Sequence, residues 1–125
     1  MSETSDQNKM TIVRFFEEAF NKGNLEVVDE ILAPNYQYNG KPSAPDGTKK
    51  WVQSLRTKFP DLHFTIETIL AEDDKVALRW LMTGTDQSTN EKGYCIGTNI
   101  IVLAGGQAIT NDQGGGDQFL PGSPT

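Results

Sequence analysis

The chain has 125 residues, with 17 Asp and Glu against 11 Lys and Arg, for a net charge of −6. That length suits one domain with a core and a modest pocket, and the scattered cations, adjacent only at Lys49-Lys50, exclude the basic footprint that nucleic acid requires. The single cysteine, Cys95, permits no internal disulfide, and with no membrane-length apolar run and no charged-then-apolar leader the expectation is a soluble cytoplasmic protein with no membrane partner.

Helical periodicity opens the chain. In "SDQNKMTIVRFFEEAFNKGN", Ile12, Val13, Phe16, Ala19 and Phe20 form one apolar stripe, and Gly23 is placed as a left-handed cap. A second short helix follows, with Asn24 as cap, a stripe of Leu25, Val28, Ile31 and Leu32, and Pro34 as its stop. "NYQYNG" reads as a brief strand or extended turn, and "KPSAPDG" as loop. The third helix, "GTKKWVQSLRTKFPD", points Trp51, Val52, Leu55 and Phe59 inward and ends at Pro60.

From residue 61 the period becomes two. "LHFTIETILAEDDKVALRWLMTGTDQ" is a long hairpin around Glu72-Asp73-Asp74, and "GYCIGTNIIVLAGGQAITND" is a second one turning at Gly105-Gly106. Three helices followed by about four strands predict an α+β domain in which the helices cover one face of a strongly curved antiparallel sheet. Residues 1–6 and about 117–125 are small and polar enough to be flexible, and deleting the chain beyond Gly116 is expected to cost little.

The strand "YCIGTNIIVLAG" is apolar on both faces. Ile96, Ile100 and Val102 alternate with Cys95, Ile101 and Leu103, and the helices can cover only one of these sets. Either a second copy of the chain covers the other, making a homodimer, or these are the scattered exposed apolar residues that many monomers carry.

"FPDLHFTIETILAEDDKVALRWLMTGT", preceded by three helices and followed by a glycine-containing strand with a GG turn, resembles the polyketide-cyclase (SnoaL-like) branch of the nuclear-transport-factor-2-like superfamily. The similarity is strongest over residues 59–85 and extends over about 9–113. It implies a cone-shaped α+β barrel with one deep, mostly apolar pocket for an apolar or aromatic small molecule, usually in a dimer, and a fold that hosts isomerases, cyclases, hydrolases and pure binders. Cyclases and isomerases of this kind use no metal and no organic cofactor. They rely on a pocket carboxylate that moves a proton beside a carbonyl while neutral donors hold the enolate oxygen.

Carried onto this chain, those roles fall on Asp112 as acid-base group and Asn99 as its catalytic partner, with Tyr36, Tyr38, Asn39, Trp80 and Asn111 as substrate-binding residues. Aligned through the GG turn without gaps, however, the carboxylate slot holds Gln113. Asp112 reaches it only through a bulge or one-residue shift, and is otherwise a solvated residue of an edge strand. Asn99 inside "GTNIIVL" must bond to a ligand or to the protein. Arg79 is expected outward, paired with Glu67. His63 is also expected outward, and with no second histidine no metal site is expected. Phe16, Phe20 and Trp51 read as core, and Cys95 as a small buried apolar residue. Two functions stay open: a cofactor-independent cyclase or isomerase acting on a carbonyl or polyketide-like compound, and a non-catalytic pocket protein binding a small apolar ligand.

Overall fold

The computed structural model describes residues 3–124. Its elements are helix α1 (Glu3–Arg14), running on as a π-helical segment (Phe15–Asn21); α2 (Glu26–Ile31); strands β1 (Leu32–Tyr38) and β2 (Lys41–Pro42); α3 (Pro45–Lys58); then β3 (His63–Glu72), β4 (Lys75–Thr85), β5 (Lys92–Ala104), β6 (Gln107–Gly115) and β7 (Leu120–Pro121). Among the described residues the strands make one curved, open sheet in the order β2-β1-β6-β5-β4-β3, with β7 paired to β5. The expected meander is therefore extended by β1, which joins the edge of β6 in parallel. Phe20, Ile12, Ile31, Val28 and Val52 from the helices meet Val76 and Ile101 from the sheet in a fully buried core.

The helix ends follow local chemistry. Gly23 takes φ +73° as its position demands, and the Arg56 guanidinium crosses it to donate to the carbonyls of Phe20 (2.8 Å) and Asn21 (3.0 Å), a cation on the negative end of the helix. The Asn21 side chain then behaves like a strand edge, donating to Phe64 O at 3.0 Å and accepting from Phe64 N at 2.7 Å, which ties the π-helical segment to β3. Pro45 opens α3 at its first turn, earlier than expected, where its missing N–H costs nothing. Both expected hairpin turns are present, at Asp73-Asp74 and at Gly105-Gly106 with φ +59° and +82°.

Of the two ends expected to be flexible, residues 1, 2 and 125 lie outside the described residues, and the others include the start of α1 and strand β7. Glu3 to Asp6 belong to α1, where the buried Ser5 hydroxyl donates to Asp73 O. At the other end Gly84 and Gly93 face each other across β4 and β5, and their missing side chains make room for Phe59 and Phe119, whose rings pack at 4.7 Å. Leu120 and Pro121 pair with Tyr94 and Gly93. The strap crosses the sheet closely, with Phe119 and the Leu120 carbonyl lying where a side chain on Gly93 would have to be. Deleting residues 117–124 removes the Phe59 contact, so a loss of about 1 kcal/mol, or roughly 3–5 °C in Tm by calorimetry, is expected. An unchanged Tm would mean that the strap adds nothing to stability.

A candidate ligand cavity

The alternation of the strands decides what faces inward. Trp80 in β4 pairs with Gly97 in β5, and Asn99 lies two residues along the same face of β5. Because Gly97 has no side chain, the indole lies across it, and its Nε1–H donates to Asn99 Oδ1 at 2.6 Å. Asn99 Nδ2 in turn donates to Asn111 Oδ1 at 2.8 Å and more weakly to Gln113 Oε1 at 3.5 Å, and Gln113 Oε1 also accepts the Tyr38 hydroxyl at 2.8 Å. The result is a connected line of neutral amides. Asn99 is only 2% exposed, so nearly all its hydrogen bonding must come from these partners.

Aromatic rings form the walls. In an α-helix Phe15, Phe16 and Phe20 would spread over about 140° of the circumference, but at the roughly 4.4 residues per turn of a π-helix they fall within about 80°. All three therefore line one cavity. Phe64 packs against Phe20 at 4.8 Å and Trp80 at 4.9 Å, while Trp51 stands edge-on to Phe20 at 5.5 Å and near Tyr38 at 6.2 Å. Ser43, Gly47 and Thr48, around the start of α3, complete a cavity of about 260 Å³.

The sequence-derived site residues divide clearly. Asn99, Asn111, Tyr36, Tyr38 and Trp80 all line the cavity. Asp112 does not: it is exposed on the outer face of the sheet, opposite Ile100. A bulge is present upstream of Asp112, at Ile109, where Val102 pairs with Thr110 but Leu103 with Ala108, and it turns Asp112 outward rather than inward. Downstream of it the strict alternation leaves Asn111 and Gln113 inside and Asp112 outside. Gln113 lines the cavity.

Asn39 is also corrected. It is exposed, sits at φ +50° beside Gly40 at +79° in the turn between β1 and β2, and accepts Gln113 N at 2.7 Å, pinning β1 to β6 rather than meeting a ligand. The dipeptide Asn-Gly is the standard sequence signal for such a turn. Trp51, expected in the core, is 39% exposed at the cavity wall. Phe15, Phe64, Ser43, Gly47 and Thr48 were not anticipated. Of these only Phe64 had a signal, since strand alternation with the outward His63 turns it inward.

Arg79 and Glu67 pair at 2.6 Å on the outside as expected, His63 is exposed, and Cys95 is buried, which pushes its thiol pKa up. No cluster of three or more potential metal ligands occurs among the described residues. No described helix is long and apolar enough to cross a membrane.

The titratable groups on the cavity wall are two phenols. Burial pushes Tyr36 up to about 12, partly offset by a hydrogen bond with Asn111, and burial also raises Tyr38. Because the folded value of Tyr36 exceeds the ordinary value near 10, its contribution to stability is intact below pH 10 and disappears as pH climbs to about 12, on the order of 2–3 kcal/mol in total. Phenolate absorbance should therefore show one tyrosine ionising near pH 12, a step lost in Tyr36→Phe. Ionisation of every tyrosine near pH 10 would mean that the phenol is wet.

The model of the SnoaL-like polyketide cyclase family matches residues 10–100. A putative polyketide cyclase from Acidithiobacillus ferrooxidans superposes with a TM-score of 0.78 at 26% identity, covering 94% of this chain and 92% of that one. IdmH, a putative polyketide cyclase from Streptomyces antibioticus, has a TM-score of 0.77 at 24% identity, covering 93% and 94%. AclR from Streptomyces galilaeus, named a putative hydroxylase, reaches 0.78 at 19% identity with 89% and 90% covered, so proteins named for different activities share this fold. No curated protein matches the sequence.

Proposed function

The chain belongs to the SnoaL-like polyketide cyclase family, and from that premise we propose that its cavity binds an uncharged, flat, carbonyl-bearing aromatic or polyketide-like small molecule without a side-chain carboxylate to act as base. One observation carries this reading. Every residue lining the cavity is aromatic, amide, hydroxyl or glycine, and none is Asp, Glu, His, Lys or Arg. Aromatic walls bind a flat apolar body by area and ring contact, while a few amides orient one polar end. A carboxylate base would need to reach the substrate proton within about 3 Å, directly or through one water, and Asp112 faces the other side of the sheet. The experiment is a titration of intrinsic tryptophan fluorescence with neutral aromatic ketones, since Trp51 and Trp80 both line the cavity. Saturable quenching together with a raised Tm supports the reading, and the absence of both for every neutral aromatic tested defeats it.

A cyclase or isomerase-type activity is the second reading, favoured by the Tyr36 phenol. Its high pKa keeps it protonated at neutral pH, so it can donate to a carbonyl oxygen as that oxygen gains charge. The proton on carbon would then leave to water or to the substrate itself.

The proposal includes a homodimer through the outer sheet face, supported by Ile100 at 53% and Ile96 at 37% exposure in β5. Ile101 is buried inward, so the informative substitution is Ile100→Lys, expected to yield monomers in light scattering. An unchanged oligomeric state would place the interface elsewhere. Action in the reducing cytoplasm belongs to the same proposal, supported by the single buried cysteine.

A further inference from the structure

Asn39 is the only asparagine of the chain that a glycine follows, and the turn between β1 and β2 gives this pair what an intramolecular attack on the Asn39 carboxamide needs. In that reaction Gly40 N bonds to Asn39 Cγ, ammonia leaves, and the product is a cyclic imide that water later opens. The nucleophile is unencumbered. Gly40 N–H makes no hydrogen bond among the described residues, and apart from its chain neighbours no atom lies within 4 Å of where a Cβ on Gly40 would stand. The electrophile is polarised, because Asn39 Oδ1 accepts the Gln113 N–H at 2.7 Å, a fixed donor on the oxygen that gains charge as the ring closes. Asn39 is exposed, so the ammonia departs directly into solvent. Asp46-Gly47, which could form the same imide by loss of water, is held back: Gly47 N–H donates to Ala44 O at 2.9 Å in the first turn of α3.

Bringing Gly40 N onto Cγ requires rotation about the Cα–C bond of Asn39, out of the left-handed turn at φ +50°. The surroundings yield readily. Strand β2 has 2 residues, both exposed, and lies at the edge of the sheet, where it pairs with Gln37 and Tyr38. Water then opens the imide at either carbonyl. Attack at Cγ leaves an aspartate at position 39, whose carboxylate can still accept from Gln113 N. Attack at the α carbonyl leaves isoaspartate, which routes the main chain through Cβ and Cγ and makes it one atom longer. That atom falls between Asn39 N, which donates to Asn111 O at 2.9 Å, and Lys41, the partner of Tyr38, so the turn no longer closes and Gln113 N loses its acceptor. Gln113 is also the residue whose side chain holds the Tyr38 hydroxyl at the cavity wall.

We propose that Asn39 is a site of spontaneous deamidation, consuming water and releasing ammonia, and that its isoaspartyl product unpins β6 from the β1–β2 turn at the corner of the cavity made by Tyr38 and Gln113.

The test holds the intact protein at mildly alkaline pH and follows every asparagine by peptide mass mapping, with isoaspartate counted by a protein-isoaspartate methyltransferase. Asn39 is expected to convert about tenfold faster than any other asparagine, a difference of about 1.4 kcal/mol in barrier, and Gly40→Ala to slow it by a similar factor. The isoaspartyl form, separated by ion exchange, is expected to melt roughly 3–5 °C below the fresh protein, the scale of one lost hydrogen bond, whereas Asn39→Asp keeps the parent's Tm. Conversion of Asn39 no faster than that of other asparagines, or as fast after Gly40→Ala, overturns the modification site. An isoaspartyl form with the parent's Tm overturns the unpinning. Both outcomes are read on the unaltered chain, so they stand even where Gly40→Ala does not fold.

Discussion

Gly97→Val is expected to destabilise the protein by about 3 kcal/mol or more and to abolish binding of any cavity ligand. A Cβ built on Gly97 would lie 2.2 Å from Trp80 Cζ2 and 2.7 Å from Cε2, in the middle of a strand whose backbone is held by β4 on one side and β6 on the other. The strand cannot retreat, so the indole must, and it has Phe64 at 4.9 Å behind it and Gly116 close to its far edge. Displacing it breaks the bond to Asn99 and fills the cavity from the side. Chemical denaturation and ligand titration of the variant check both effects. A Gly97→Val protein of parental stability that still binds ligand would show that Trp80 is free to move and that the floor of the cavity is not rigid.

Asn99→Leu should be nearly as costly, on the order of 2–5 kcal/mol, for a different reason. Leucine matches asparagine closely in shape, so little volume changes, but the Trp80 N–H and the Asn111 oxygen would both lose partners where little solvent is available to replace them. Each orphaned group costs about 1–3 kcal/mol. A double variant Asn99→Leu with Trp80→Phe removes one orphan and should recover part of that loss, which separates unmet hydrogen bonding from simple packing. If the single variant is as stable as the parent by denaturant unfolding, the amide line does not hold the fold together.

Much of this molecule was legible without coordinates because local chemistry dictated it. The stripe Ile12, Phe16, Ala19 and Phe20, the cap at Gly23, the turns at Asp73-Asp74 and Gly105-Gly106, the outward Arg79–Glu67 pair and the inward Asn99 all follow from periods of 3.6 and 2 and from the few residues that tolerate positive φ. A single amide in an apolar strand had to bond with something, and it does so with Trp80 and Asn111. The short strand β1 and the role of Asn39 were less visible. The pairing of β1 with β6 joins residues more than seventy positions apart, and the Asn-Gly turn is meaningful only once β2 folds back on β1.

What the sequence by itself determined, then, is the order of elements, the apolar interior and the presence of buried amides, since each depends on neighbours a few positions away. Which side chains meet in the cavity was decided by tertiary structure alone. A bulge at Ile109 exchanges inside for outside along the rest of β6, sending Asp112 to the surface and Gln113 to the cavity. A π-helical segment gathers Phe15 with Phe16 and Phe20, and the strap bearing Phe119 finds its place only against the glycines of β4 and β5. Each of these is a shift of one residue or a fraction of a turn. Nothing in local composition distinguishes the two outcomes, and the packing of distant elements settles them because only one register buries the aromatic residues and satisfies the amides together.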